Sequence, residues 1–226
     1  IAENAKSGWK RPLYFTAVSG YNFNGLNDYL QLEGLVYKFV PVNGGRSGSA
    51  PANVNREKLY DNLVNQYKYY GMKENKNFFL DDKASYVPMQ MQQWGYNLAM
   101  SYASQVTNYE RYKKAYDAGQ NPPPVAGYAT VKEYLDSEAD ATEKARAKAL
   151  QVLNKMVEEL PQPQMIWNRE VLADFGLTYM ILGENKKGEL LLKDAVEQNQ
   201  EFFAYYTKRY PEQDLTTNRQ LNNCYR

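Results

Sequence analysis

The chain has 226 residues, with 27 Lys and Arg against 26 Asp and Glu for a formal net charge of +1, a balance that argues against a nucleic-acid footprint, which wants a clustered basic excess. It contains no histidine, which removes Ser-His and Cys-His nucleophile activation, HExxH zinc sites and any His general base. The mean hydropathy is −0.71 and no apolar run approaches the ~20 residues that a bilayer-spanning helix needs.

The chain begins with Ile1 and runs straight into AENAKSGWKRP, without the charged, apolar and small-residue segments of a signal peptide. We therefore expect a piece of a longer protein, with any membrane part outside it. Leu13 to Val18 alternates Leu13, Phe15 and Ala17 with Tyr14, Thr16 and Val18, and Leu35 to Val42 is rich in branched and aromatic residues; both read as strands. Between them, the start signals Asn24 and Asn27 and the apolar Leu26, Tyr29, Leu30 and Leu32 predict a short helix closed by Gly34. Such a unit is too small to be stable alone and must pack on later helices. Residues 43–55, NGGRSGSAPANVN, read as a flexible loop that matches neither phosphate-binding fingerprint.

Leu59, Leu63 and Tyr67 form an i, i+4 stripe that predicts an amphipathic helix from Arg56 to Tyr70, ended by Gly71. A long helix opens at Ser85 or Pro88 and runs through Gln105 with Met91, Trp94, Leu98 and Tyr102 on one face. Pro122, Pro123 and Pro124 break any helix. Thr142 to Leu160 is the next helix, with Ala145, Ala149, Val152, Leu153 and Met156 at helical spacing; Trp167 to Leu182 and Lys186 to Lys208 form a further pair around Gly183. Leu172, Phe175, Gly176, Tyr179, Gly183, Gly188, Leu192 and Ala195 follow the spacing of a tetratricopeptide unit, and Leu98, Ala99, Tyr102, Ala149, Leu153 and Met156 give an earlier, degenerate one. The expected fold is α+β, mainly α. It has a strand-helix-strand cap over residues 1–70, then TPR-like antiparallel helical hairpins over 71–226 with an insertion near 107–141.

Arg11, Pro12, Leu13, Tyr14 and Phe15 are followed by Gly25, Leu26, Tyr29, Gln31, Leu32, Glu33 and Gly34, then by Tyr37, Val40 and Pro41. In order and spacing this resembles the C-terminal region of the Bacteroidetes multi-pass membrane proteins grouped as DUF2723, which are protein O-mannosyltransferase-like glycosyltransferases. The likeness extends through Tyr60, Asp61, Asn62 and Leu63 into the helical half. It implies an extracytoplasmic, periplasmic appendage of a membrane glycosyltransferase and not its catalytic part, with Arg11, Pro12, Tyr14, Phe15, Tyr29, Gln31, Glu33 and Gly34 as family-motif residues.

Several residues invite chemistry. Asp28 and Glu33 could form a carboxylate pair for glycoside chemistry, but their spacing does not share a helical face; the plainer reading has Asp28 supporting a first turn and Glu33 paired with Arg11 or Lys10. Asp136, Glu138 and Asp140 resemble the start of a calcium loop, yet Ala141 and Ala147 stand where Gly and Glu belong. Trp94 and Trp167 fall at apolar helix positions, whereas Trp9 beside Lys10 and Arg11 suits an exposed or membrane-proximal place. Cys224 is a lone thiol without a nearby base. The 21 tyrosines either fill helix seams or line a sugar-facing or protein-facing surface. No catalytic residue, metal site or cofactor is assigned.

The function these readings give is a non-catalytic accessory module that engages an acceptor protein or a subunit. A carbohydrate-binding module is the alternative, and an independent hydrolase is disfavoured by the missing histidines. Binding residues are expected on the inner helix faces: Gln93, Tyr96 and Met100 in the first hairpin, Asn168, Asp174 and Thr178 in the second. These alternate around the helix with packed positions.

Overall fold

Leu30 and Leu32 lie two residues apart, so in a strand both face the same way, whereas a helix would splay them to nearly opposite sides. The computed structural model, which describes residues 5–16, 26–41, 53–69, 86–160 and 169–209, takes the first option. A single 3-10 turn covers Leu26–Tyr29 and a strand follows at Leu30–Leu32, which corrects the expected helix. Four short strands form one sheet in the order β1-β3-β2-β4: β1 is Tyr14–Phe15, β2 Leu30–Leu32, β3 Tyr37–Phe39 and β4 Asn53–Val54. β3 pairs antiparallel with β1 and β2, while β4 runs parallel to β2. Leu30, Leu32 and Phe39 are buried on the shared face. Asn53–Val54 belongs to the stretch expected to be loop; residues 43–52 lie outside the described residues.

β4 feeds directly into helix α1, Arg56–Tyr60, whose N-cap Asn55 accepts from the Lys58 amide at 3.1 Å. The expected helix to Tyr70 stops early. From Asp61 to Gln66 its hydrogen bonds widen to π spacing, the last being Tyr67 N to Asn62 O at 2.9 Å, and Tyr67 is extended. That turn frees Tyr67 to reach back to the sheet.

Helices α2, Tyr86–Asp117, and α3, Val131–Glu159, form an antiparallel hairpin longer than expected at its tip. Residues 107–117 and 131–141 therefore continue the helices and are not an insertion. Thr130 accepts from the Glu133 amide at 3.1 Å, and the Glu133 carboxylate accepts from the Ala129 amide at 2.9 Å, a reciprocal N-terminal cap that starts α3 eleven residues before Thr142. The apolar stripes meet as predicted, with Trp94, Leu98, Tyr102 and Val106 of α2 and Ala145, Ala149, Val152, Leu153 and Met156 of α3 all buried. Gly95 lets α2 close in, since a Cβ there would stand 2.6 Å from Met156 Cγ.

The strands, α1 and this hairpin belong to one compact unit, Ile1–Met165; a second unit spans Ile166–Arg226. The division falls at residue 165 and not near 70, because the cap is bonded to the first hairpin through Arg56, Glu57 and Tyr60. The second unit holds its own antiparallel hairpin of α4, Arg169–Ile181, and α5, Asn185–Arg209. Val171, Leu172, Phe175, Tyr179, Leu182 and Ala195 form its core. Gly183, at φ 90°, closes α4 in a Schellman-type turn in which Glu184 N donates to Tyr179 O at 2.9 Å. The predicted hairpin pair and its turn glycine are thus present.

The seam between α4 and α5 rests on two glycines. A Cβ on Gly188 would stand 2.6 Å from the Gly176 carbonyl oxygen, a backbone atom that cannot swing aside. Gly188→Ala must therefore separate the helices, and we expect a loss of about 1 to 3 kcal/mol, read from the denaturant midpoint of the second hairpin. An unchanged midpoint would show that the helices are not in contact at this point.

Candidate binding cleft

The expected family-motif residues lie on or beside the sheet, and Tyr29, Glu33 and Gly34 among them act structurally. Glu33 is buried; its carboxylate lies 3.4 Å from Lys38 Nζ and 3.4 Å from Asn55 Nδ2. This corrects the expected pairing with Arg11 or Lys10. The Glu33 carbonyl accepts from the Asn62 side-chain amide, and Tyr67 Oη accepts from the Leu35 amide at 3.0 Å. Gly34 stands between these bonds at φ 145°, and a Cβ there would strike Tyr67 Oη and come within 2.9 Å of Asn62 Nδ2. The β2–β3 turn is thereby tied to the loop that follows α1.

Tyr29 stacks on Phe39 at 5.9 Å between centroids, and Trp9 stacks on the same ring at 5.2 Å. Trp9 is half-buried at φ 59°, so the exposed or membrane-proximal place expected for it gives way to packing on the sheet. Arg11, Pro12 and Tyr14 are exposed and Phe15 is half-buried. Asp28 sits in the 3-10 turn.

Of the expected binding residues, Gln93 is exposed and donates to Asn97 Oδ1 at 3.3 Å, and Tyr96 and Met100 are half-buried on α2. Asp174 is half-buried on α4. Thr178 is no surface residue: it is 1% exposed and its hydroxyl donates to the Asp174 carbonyl at 2.6 Å, a local bond that lets a small polar side chain enter the core. Asn168, Trp167 and Cys224 lie outside the described residues. Trp94 is buried as expected. Asp136 pairs with Lys132 at 2.7 Å and Glu138 accepts from Tyr128 Oη at 2.5 Å, so two of these three carboxylates are committed to local partners, and Asp140 is exposed. Among the described residues no group of His, Cys, Asp and Glu is arranged to hold a metal ion.

A recess that could take a ligand lies elsewhere among the described residues, where β2, β4 and the start of α1 face the hairpin. It is a cleft of about 830 Å³ lined by Gln31, Asn55, Arg56, Glu57, Tyr60, Tyr102, Gln105, Lys144, Lys148 and Gln151, with Val54, Ala141, Ala145 and Ala147 on its apolar parts. Small alanines between the lysines of α3 leave the room. The Arg56 guanidinium lies 4.0 Å over the Tyr102 ring and donates to Gln105 Oε1 at 3.0 Å. Lys148 pairs with Glu57 at 2.6 Å and lies 5.2 Å from the Tyr60 ring centre, while Tyr60 Oη bonds to Gln151 Oε1. Glu57 holds the Lys148 ammonium above its ordinary pKa through that hydrogen bond, and burial, aided by Glu57, pushes the Tyr102 phenol up.

Sequence reasoning did not assemble this cleft. Tyr60 and Tyr102 read as helix-stripe residues and Arg56 as a helix start. The available signal was the stripe Ala141, Lys144, Ala145, Lys148 and Gln151, small and cationic residues at helical spacing on one face of α3.

Residues 1–58, about a quarter of the chain, match the family model described as TMEM260-associated domain 2, a membrane-protein-associated family. No curated protein and no solved structure matches the chain. No helix among the described residues is long and apolar enough to cross a membrane.

The Gly34 tie and the buried phenols yield two expectations. Gly34→Ala should destabilise the first unit by about 1 to 3 kcal/mol. Tyr67→Phe should do likewise by leaving the Leu35 amide without its acceptor. The double variant should cost less than the sum, because Phe removes the atom that the new methyl strikes; strict additivity in urea unfolding would refute this contact. The phenols of Tyr37, Tyr69 and Tyr102 are all raised, with burial the largest cause. Raised folded values mean that their contribution is complete below the unfolded value of about 10 and is lost as pH rises through the folded ones. Stability should therefore fall above pH about 10, and Tyr69→Phe should flatten that fall. An equal slope in this variant would exclude Tyr69 as a source.

Proposed function

We propose that this chain is a non-catalytic accessory module of a membrane protein O-glycosyltransferase, facing the periplasm, which engages an acceptor protein or a subunit. The observation that carries the reading is the match of residues 1–58 to a membrane-protein-associated domain. It covers the same stretch, Trp9 to Val42, whose motif resembles the Bacteroidetes DUF2723 glycosyltransferases. Two features of the residues support a non-catalytic part. The sequence offers no histidine, and the one buried carboxylate of the motif, Glu33, is held by Lys38 and Asn55 as a structural tie. Helical hairpins of the tetratricopeptide kind commonly dock partners through helix faces.

A second reading, carbohydrate binding, is favoured by one specific observation. The cleft combines the half-buried Tyr60 with the side-chain amides of Gln31, Gln105 and Gln151, and Gln31, whose amide has no hydrogen bond among the described residues, can meet hydroxyls as donor and acceptor.

The test has two arms. The isolated chain should release no sugar from aryl glycosides, and activity lost in Asp28→Asn or Glu33→Gln would overturn the non-catalytic assignment. In the native cells, deleting the whole module, residues 1–226, should leave turnover of the lipid-linked sugar donor intact and lower glycosylation of protein acceptors. Unchanged acceptor glycosylation would remove the accessory role.

A further inference from the structure

The cleft of the first unit has an unbalanced set of polar groups, and the imbalance identifies what it can take. Arg56 is half-buried and its Nε is shielded from solvent without a hydrogen-bond partner. Its contacts are Tyr102, through ring and hydroxyl, and Gln105 Oε1, and among the described residues no carboxylate pairs with it. The one acidic lining residue, Glu57, is already committed to Lys148. Lys144, on the opposite wall, has no ion pair among the described residues. Three cations against one carboxylate leave the cleft two positive charges in excess.

The hydrogen-bond inventory points the same way. An arginine only donates, so the atom of Gln105 that meets Arg56 must be its oxygen, and what Gln105 has left is its NH₂ group. Tyr60 Oη meets the Gln151 side-chain amide, whose other half stays open to a ligand. The groups left over from Arg56, Lys144 and Gln105, on both walls, are therefore donors. A half-buried cation facing surplus donors is costly unless an acceptor-rich anion completes it.

From this geometry we propose that the cleft between α1 and the α2–α3 hairpin is a binding site for a small organic oxyanion, a phosphate- or carboxylate-bearing molecule of about hexose size. Arg56, fixed in place by Tyr102 and Gln105, supplies a preorganised planar fork. Lys144 supplies the second charge from the facing helix. The volume of about 830 Å³ lies within the range of small-ligand clefts. Tyr60, half-buried, flanks the anion site with ring surface while the buried Tyr102 backs Arg56, and Gln31, whose side-chain amide has no hydrogen bond among the described residues, adds a donor and an acceptor for the uncharged part of the ligand. The site rests on the cleft alone and is independent of the accessory-module reading, so either can fail without the other.

The experiment is calorimetric or NMR titration of the whole chain at low ionic strength with glucose 6-phosphate, with glucuronate and with uncharged glucose. At least one of the two anions should saturate with a Kd at or below about 1 mM, glucose should not, and added salt should weaken binding. The anion that binds identifies the phosphate or the carboxylate source. Arg56→Gln should weaken binding about tenfold or more, and Arg56→Lys, which keeps the charge without the fork, should fall between it and the wild type. Because Arg56 also stacks on Tyr102, the exposed Lys144→Gln is the companion variant; it should weaken binding several-fold without moving the thermal midpoint. The proposal is overturned if neither anion binds the folded wild-type chain, if glucose binds as well as both anions, or if Arg56→Gln and Lys144→Gln bind unchanged.

Discussion

The tie between Glu33, Gly34 and the residues flanking α1 is the constraint on which the rest of the first unit depends. Glu33 meets Asn55 through its carboxylate and Asn62 through its carbonyl, and Tyr67 accepts from Leu35 across the glycine. Asn55 is also the N-cap of α1 and donates its backbone amide to Leu32 O at 3.0 Å. Glu33, through its carboxylate and its carbonyl, and Tyr67 therefore hold the hairpin turn, the end of the sheet and the start of the helix together. Break it and α1 loses its direction; with α1 goes Arg56, and with Arg56 one wall of the cleft. A sheet of strands only two or three residues long cannot hold that geometry by backbone pairing alone. Buried, satisfied side-chain bonds do so instead.

How much of this was legible in the sequence follows from the range of the interactions. The long helical stripes were read correctly because Leu98, Tyr102, Ala149 and Met156 report a period that no short-range competitor disturbs. Gly183 was legible for the same reason, as a local turn requirement. The Leu30–Leu32 strand was not, because its alternation spans three residues and its pairing partner, Tyr37–Phe39, decides it. The start of α3 lies before the expected Thr142 although Thr130 and Glu133 spell a cap, since the apolar stripe that reports the helix begins only at Ala145. Thr178 was misplaced because a threonine that bonds its own helix backbone is indistinguishable in sequence from one that faces water.

The motif residues separate into two kinds once their surroundings are known. Glu33, Gly34 and Tyr29 are held by packing and hydrogen bonds, so their pattern reports architecture. Gln31 differs. It lies between the buried Leu30 and Leu32, so the pleat that buries them turns Gln31 to the other face, where it joins the lining of the cleft. The strand that anchors the sheet thus also delivers a polar group to the cleft, and a one-residue slip in its register would exchange both roles at once.

Composition hid the cleft for an electrostatic reason. A chain of net charge +1 reads as neutral, yet its charges are not evenly compensated. Along α3, Lys132 is matched by Asp136, Lys155 by Glu159, and Arg146 by Glu110 and Glu143. Each of these pairs is largely exposed or lies along the hairpin surface, and each is worth little to stability. Their effect is instead to cancel the field of the cations they bind, so that along α3 Lys144 is the cation left without an ion pair among the described residues. It faces Arg56, which likewise has none, across a recess lined by two tyrosines and three glutamines. The anion site we propose thus draws on two cations of one recess in a protein whose overall charge is near zero, and its pull extends over about a Debye length.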